Sequence, residues 1–190
     1  MTELRTRPHV GRLKKTVVMV GMMGAGKTAV GRALAARLGA PFLDSDAEIE
    51  KAADRTVPEI FERDGEAFFR AKESQVISRL LDGERCVLST GGGAFLADRN
   101  RDMISERGVS LWLNAELAVL WNRVKHKDTR PLLRTANPRA TLEEIFNRRV
   151  PIYSKADLSV ISDGQASIEQ MVDRVLTVLE TRPDVYEVED

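Results

Sequence analysis

The chain has 190 residues, 43% of them apolar, enough for one domain with a buried core. Its 29 basic residues balance 29 acidic ones, so there is no general basic field to attract nucleic acid or an anionic membrane surface. Any anionic ligand has to be held by locally placed groups. A single cysteine, Cys86, excludes an internal disulfide and a thiolate metal site, and no apolar run approaches the roughly 18 residues of a membrane span. The expectation is a soluble, cytoplasmic protein without nucleic-acid or membrane partners.

In chain order, residues 1–15 form a polar N-terminal extension with Glu3 and five Lys or Arg residues. Thr16 to Val20 reads as a buried strand. Lys27 to Leu38 reads as a helix with Val30, Leu34 and Leu38 on one face, closed by Gly39. Pro41 to Leu43 begins a second strand, and Ser45 with Glu48 fits a capping box opening a helix to about Ala53. A longer helix is expected from Glu66 to Leu81. Further strands are expected at Cys86 to Ser89, Val109 to Leu113 and Leu158 to Ile161, with helices near 115–123, 141–153 and 167–181. Strands alternating with helices imply right-handed crossovers and a parallel sheet covered on both faces, whose ligands bind beyond the C-terminal strand ends. Residues 182–190 form an acidic tail expected to fray.

The string Gly21-Met22-Met23-Gly24-Ala25-Gly26-Lys27-Thr28 follows the first strand and leads into a helix. It matches G-x-x-x-x-G-K-[ST], in which backbone N–H groups and a helix N-terminus surround phosphate oxygens. Nucleotide phosphates are therefore expected on Gly24, Ala25, Gly26, Lys27, Thr28 and Ala29, with Lys27 on the β and γ phosphates and the Thr28 hydroxyl in the shell of Mg²⁺.

Asp44 and Asp46 follow the second strand. Two readings are open: a metal-water ligand beside a group that orients or deprotonates a substrate hydroxyl, or carboxylates that only favour a helix N-terminus. Gly91-Gly92-Gly93 follow the third strand, where either a close approach to the backbone or a positive φ is required. Arg70 lies between Glu66 and Glu73 at helical spacing, so surface pairing alone explains it. Arg148 and Arg149 suit a helix C-terminal end equally well. The polar stretch 125–138, with Arg130 before Pro131, is either a mobile loop over the site or an ordinary connection.

Taken in order, these pieces resemble the shikimate kinases from about Thr16 to about Ile161. The likeness rests on the phosphate loop, Leu43-Asp44-Ser45-Asp46, Asp64-Gly65-Glu66 with Phe69-Arg70 and Glu73, the triple glycine, Arg130-Pro131-Leu132-Leu133, and Arg149-Val150-Pro151-Ile152-Tyr153. The resemblance implies a three-layer α/β P-loop kinase fold over residues 16–181, with a five-stranded parallel sheet, a substrate-binding region at about 45–80 and a lid loop at about 124–138. It implies a monomer that transfers the γ-phosphate of ATP to the 3-hydroxyl of shikimate with Mg²⁺. In that family pattern Asp46 binds the substrate hydroxyls and acts as base, Arg70 and Arg149 hold the carboxylate, and Gly91, Gly92 and Gly93 line the pocket. Asp44 and Thr28 serve Mg²⁺, Arg130 and Lys27 serve the transferring phosphoryl group, and Arg123 stacks on adenine.

The segment Ile161-Ser162-Asp163-Gly164-Gln165-Ala166 lacks the proline that the family usually places beside adenine. A gluconate kinase of the same architecture is the nearest alternative, and the triple glycine with paired arginines argues against it. A regulatory GTPase is the alternative of another class. Ser154-Lys155-Ala156-Asp157 is similar to its guanine-reading motif, but here it precedes a strand. If residues 125–138 are a lid, their amide hydrogens exchange more slowly when ATP and shikimate are bound together; equal exchange with and without ligands would remove the lid.

Overall fold

The computed structural model describes residues 11–126 and 131–189. The first elements in chain order are β1 (Gly11–Leu13), β2 (Thr16–Val20), α1 (Lys27–Leu38), β3 (Phe42–Asp44), α2 (Ser45–Ala53), α3 (Val57–Asp64) and α4 (Glu66–Asp82). They are followed by β4 (Val87–Ser89), α5 (Asp98–Arg107), β5 (Gly108–Asn114), α6 (Leu117–Val124), α7 (Pro138–Tyr153), β6 (Leu158–Ile161), α8 (Ile168–Leu179) and β7 (Tyr186–Val188). The parallel sheet runs in the order β3-β4-β2-β5-β6, the five-stranded architecture expected from the alternating pattern. Every residue of β2 is buried and β5 is buried from Gly108 to Leu113, which explains their continuous apolar reading. Among the described residues no helix is long and apolar enough to cross a membrane.

Two helices lie outside those expected from the sequence. α3 is short, but Thr56 accepts a hydrogen bond from the Glu59 N–H and Pro58 stands in the first turn, so its start was legible from capping chemistry. α5 reads DRNRDMISER and buries only Asn100 and Ile104, so no apolar stripe marks it. Helices α2, α3 and α4 enclose a small second core of Ile49, Ile60, Phe69 and Val76 beside the main one. The Phe61 and Phe69 rings meet there at 4.7 Å between centroids. This gives the region that carries Asp46 and Arg70 a floor of its own.

The strand order places three loops side by side at the C-terminal edge. The phosphate loop leaves β2, the triple glycine leaves the neighbouring β4, and Asp44 and Asp46 leave β3 beyond it. The chain steps from β2 over β4 to β3 and then returns, which opens the crevice where such sheets hold ligands.

The acidic tail, expected to fray, is tied down over its described residues, 182–189. Tyr186–Val188 pairs antiparallel with Gly11–Leu13, and the Lys14 N–H donates to the Val185 carbonyl at 2.6 Å. The cause is apolar burial within an otherwise polar segment, since Leu13, Val185 and Tyr186 all join the main core. Gly11 lies against the Tyr186 ring, where a Cβ would overlap it. The Tyr186 hydroxyl is buried without a hydrogen-bond partner. Tyr186→Ala is expected to cost about 3–5 kcal/mol, read as a fall in Tm of roughly 10 °C, whereas Tyr186→Phe should match or slightly exceed the wild type because it removes an unsatisfied polar group. A Tm for Tyr186→Ala within a degree of wild type would show that the ribbon contributes nothing.

Candidate active site

Between β2 and α1 the backbone turns through Gly24 at φ 81° and Gly26 at φ 96°, values that side chains rarely adopt. Gly26 caps α1, whose first turn holds no acidic residue, so the positive end of the helix faces the cleft uncompensated. The Lys27 ammonium donates to the carbonyls of Gly21 at 2.6 Å and Met22 at 3.2 Å, which holds it over the loop. The cleft, about 490 Å³, is bounded by residues 22–30 on one side and by Arg123, Ser162, Ala166, Ile168 and Met171 on the other. Arg123 donates to the Gly24 carbonyl at 2.9 Å and to the Ser162 hydroxyl at 3.3 Å, closing that end of the loop. Asp163 accepts from the Gln165 and Ala166 N–H groups and from Arg174. These contacts, the backbone ones foremost, lower its pKa to about 2 and shape the proline-free segment that brings Ala166 to the cleft.

Asp44 is the N-cap of α2, its Oδ1 accepting from the Ala47 N–H at 3.0 Å. The expected Ser45–Glu48 capping box is therefore replaced by a cap one residue earlier. The two carboxylates stand on different local structure, because the helix begins at Ser45 and Asp46 lies in its first turn. The capping and the ligand readings of the pair are not exclusive: Asp44 caps, while Asp46 turns inward. Its Oδ1 is buried with no hydrogen-bond partner. Burial pushes the Asp46 carboxyl above its ordinary pKa, nearby Asp44 adds to the shift, and Arg70 and Lys27 oppose it.

The triple glycine answers to close approach. None of Gly91, Gly92 and Gly93 has a positive φ, but each faces a different charged side chain. A Cβ on Gly91 would stand 2.9 Å from Asp46 Oδ1, one on Gly92 would stand 2.7 Å from Arg149 Nη1, and one on Gly93 would overlap the Arg70 guanidinium. The Gly91 N–H donates to Ser45 Oγ at 3.4 Å and the Tyr153 hydroxyl donates to the Gly92 carbonyl at 2.6 Å. Two guanidiniums and one carboxylate thus converge on three consecutive residues of bare backbone.

Surface pairing accounts for only part of Arg70. Glu66 stands at 3.7 Å and is 70% exposed, but Glu73 is 2% exposed and accepts from Arg70 Nη1 at 2.9 and 3.2 Å. Burial raises the Glu73 pKa and the Arg70 charge opposes the rise, the balance of a buried acid kept for the cation it orients. Arg130 and the centre of the expected lid, 127–130, lie outside the described residues. The GTPase-like string has a different use, since Asp157 accepts from Ser105 Oγ and from the Ser110 N–H and hydroxyl, tying β6 to β5.

A family model described as shikimate kinase matches residues 23–180. The chain belongs to the shikimate kinase family. A shikimate kinase from Ruegeria pomeroyi is 76% identical over 176 residues, 93% of this chain and 90% of the relative. One from Cereibacter sphaeroides is 65% identical over 97% of this chain and 92% of its own length. The solved shikimate kinase from Acinetobacter baumannii, in complex with shikimate, superposes with a TM-score of 0.81 at 36% identity, over 88% of this chain and 93% of that one. A Sinorhizobium meliloti gluconokinase shares the fold alone, at a TM-score of 0.60 and 18% identity.

Within this shikimate kinase family member the sequence reading missed several residues at the site. Glu73, read as a surface partner, is legible only through burial. Tyr153 reaches the Gly92 carbonyl, and Ser162, Ile168 and Met171 the cleft, by tertiary packing that leaves no local signal. The raised Asp46 pKa carries a stability consequence. The native state holds the proton to higher pH than the unfolded chain, so stability is lost as pH rises above the ordinary value of 3.8. Asp46→Asn removes that loss and should raise Tm by a few degrees at pH 8, but not at pH values below 3.8; calorimetry showing no gain at pH 8 would contradict the buried, disfavoured charge.

Proposed function

We propose that this chain transfers the γ-phosphate of ATP to the 3-hydroxyl of shikimate, giving 3-phosphoshikimate and ADP on the way to chorismate and the aromatic amino acids, as a cytoplasmic monomer. The observation that carries the reading is the convergence of Arg70, Arg149 and Asp46 on the backbone of residues 91–93. A small acid bearing a carboxylate at one end and hydroxyls at the other matches it. The guanidiniums grip the planar carboxylate with paired hydrogen bonds, and Asp46 accepts from the hydroxyls. The bare glycine backbone lets the flat ring sit close.

Phosphoryl transfer asks the protein mainly for positioning and charge stabilisation. Residues 24–29 hold the phosphates with backbone N–H groups, and Lys27 moves from the loop carbonyls to the β and γ oxygens. Arg123 and the apolar surface of Ala166, Ile168 and Met171 hold the adenine, replacing the family's proline. Arg130 approaches the transferring group from the lid. Asp46 orients the attacking hydroxyl and takes its proton; the raised carboxyl pKa brings the base closer to the operating pH.

Mg²⁺ fits the donor set. Among the described residues no group of three or more His, Cys, Asp or Glu is placed to hold a metal, and Mg²⁺ characteristically takes one or two protein oxygens beside phosphate and water. The Thr28 hydroxyl and Oδ2 of Asp44 would serve it, Oδ1 being used by the cap. When bound, the ion offsets the charge of the β and γ phosphates.

ADP release should be strongly stimulated by shikimate and not by gluconate or a nucleoside monophosphate; stimulation by another acceptor alone would overturn the substrate while keeping the kinase. Lys27→Ala should abolish turnover, and Asp46→Asn should lower kcat on the order of 100-fold or more. Arg70→Ala and Arg149→Ala should each raise the shikimate KM roughly ten- to hundredfold with the ATP KM nearly unchanged, and an unchanged shikimate KM would refute the carboxylate grip.

A further inference from the structure

The two arginine-bearing helices are each pegged to the glycine segment one turn beyond the arginine. On α7, Tyr153 follows Arg149 by four residues and donates to the Gly92 carbonyl at 2.6 Å. On α4, Ser74 follows Arg70 by the same spacing, and its contact is indirect. The Ser74 hydroxyl lies 2.7 Å from Asn100 Oδ1, and Asn100 Nδ2 donates to the Ala94 carbonyl at 2.8 Å. The polarity of this bridge has one solution. A carbonyl only accepts, so the amide nitrogen faces Ala94, the amide oxygen faces Ser74, and the serine donates. Ser74 Oγ also stands 3.1 Å from the Arg70 carbonyl, but a hydroxyl has a single hydrogen and the shorter contact takes it. Asn100 is 1% exposed and Ser74 8%, so neither group has water as a substitute partner, and a lost member strands the others.

We propose that Ser74 and Asn100 are positioning residues for substrate, which set the spacing between Arg70 and the glycine backbone and so the geometry of the carboxylate grip. Ala94 directly follows Gly93, against which the Arg70 guanidinium lies. The bridge therefore joins the helical turn that carries Arg70 to the backbone that Arg70 rests on. Glu73 orients the guanidinium from below, whereas Ser74 and Asn100 fix where its helix stands. With Tyr153 doing the same for α7, the two arginines are referenced to two carbonyls, of Gly92 and Ala94, in one short segment. A relative shift of α4 against α7 would otherwise open the grip without breaking any contact of the arginines themselves.

This inference rests on the shikimate reading, and the experiment separates the two. Steady-state kinetics of Ser74→Ala, Asn100→Ala and the double variant would be measured with shikimate and ATP varied in turn, with Tm recorded for each. Each single variant is expected to raise the shikimate KM roughly tenfold while the ATP KM stays within about twofold. The double variant should resemble either single one, because both break the same bridge. Ser74→Ala removes one oxygen and keeps the test open if Asn100→Ala does not fold. A lowered Tm with the shikimate KM unchanged would reduce the bridge to helix packing and overturn the proposal, as would effects that simply multiply in the double variant. Wild-type protein that ignores shikimate while phosphorylating another acceptor would overturn the substrate reading, and this role with it.

Discussion

Asp46, Arg149 and Arg70 lie so close to residues 91–93 that a Cβ has no room there, and that closeness governs the rest of the site. With a Cβ at any of the three positions, a carboxylate or guanidinium would have to retreat. The glycines are thus a steric requirement of the pocket, and their φ values are ones any residue could adopt. The arrangement also has an electrostatic side. Asp46 sits half-buried with its Oδ1 unpaired, its charge disfavoured by desolvation and by Asp44 and relieved by Arg70 and Lys27. A group held in that balance is poorly placed for stability and well placed for accepting hydroxyl protons.

The fold supplies this closeness through strand order. β4 inserts between β2 and β3, so the glycine segment emerges between the phosphate loop and the Asp46 helix. The arginines come from helices distant in sequence, α4 and α7. The phosphate loop is held by backbone contacts, with Gly26 capping α1 and Arg123 donating to the Gly24 carbonyl. Asp46 and Arg70 stand on helices packed around the small second core, while Arg149 stands on α7, which packs on the main one.

Much of this was legible in the sequence, because the phosphate loop, the strands of the sheet and the order of the motifs are local patterns with strong physical signatures. What escaped was of a different kind. α5 has too few apolar residues to show a period, and the cap of α2 fell on Asp44 although Ser45 and Glu48 offered a plausible box. Glu73 and Asn100 look like ordinary surface residues in one dimension and are among the most buried polar groups in three. The tail was judged by its acidic composition, which conceals Val185 and Tyr186 as core residues.

That tail has a bearing on how the chain matures. β1 is the first of the described strands to be synthesised and β7 the last, yet they are each other's only ladder partners among the described residues. Until the final segment is available, Gly11–Leu13 has an unpaired edge and the pocket for the Tyr186 ring stands open to solvent. Neither strand belongs to the five-stranded sheet. Closing so long a loop adds little entropic cost beyond that of a loop half its length. The ribbon can close only once the last segment is made, and because Leu13, Val185 and Tyr186 belong to the main core, a nascent or trimmed chain would expose an apolar seam on that core.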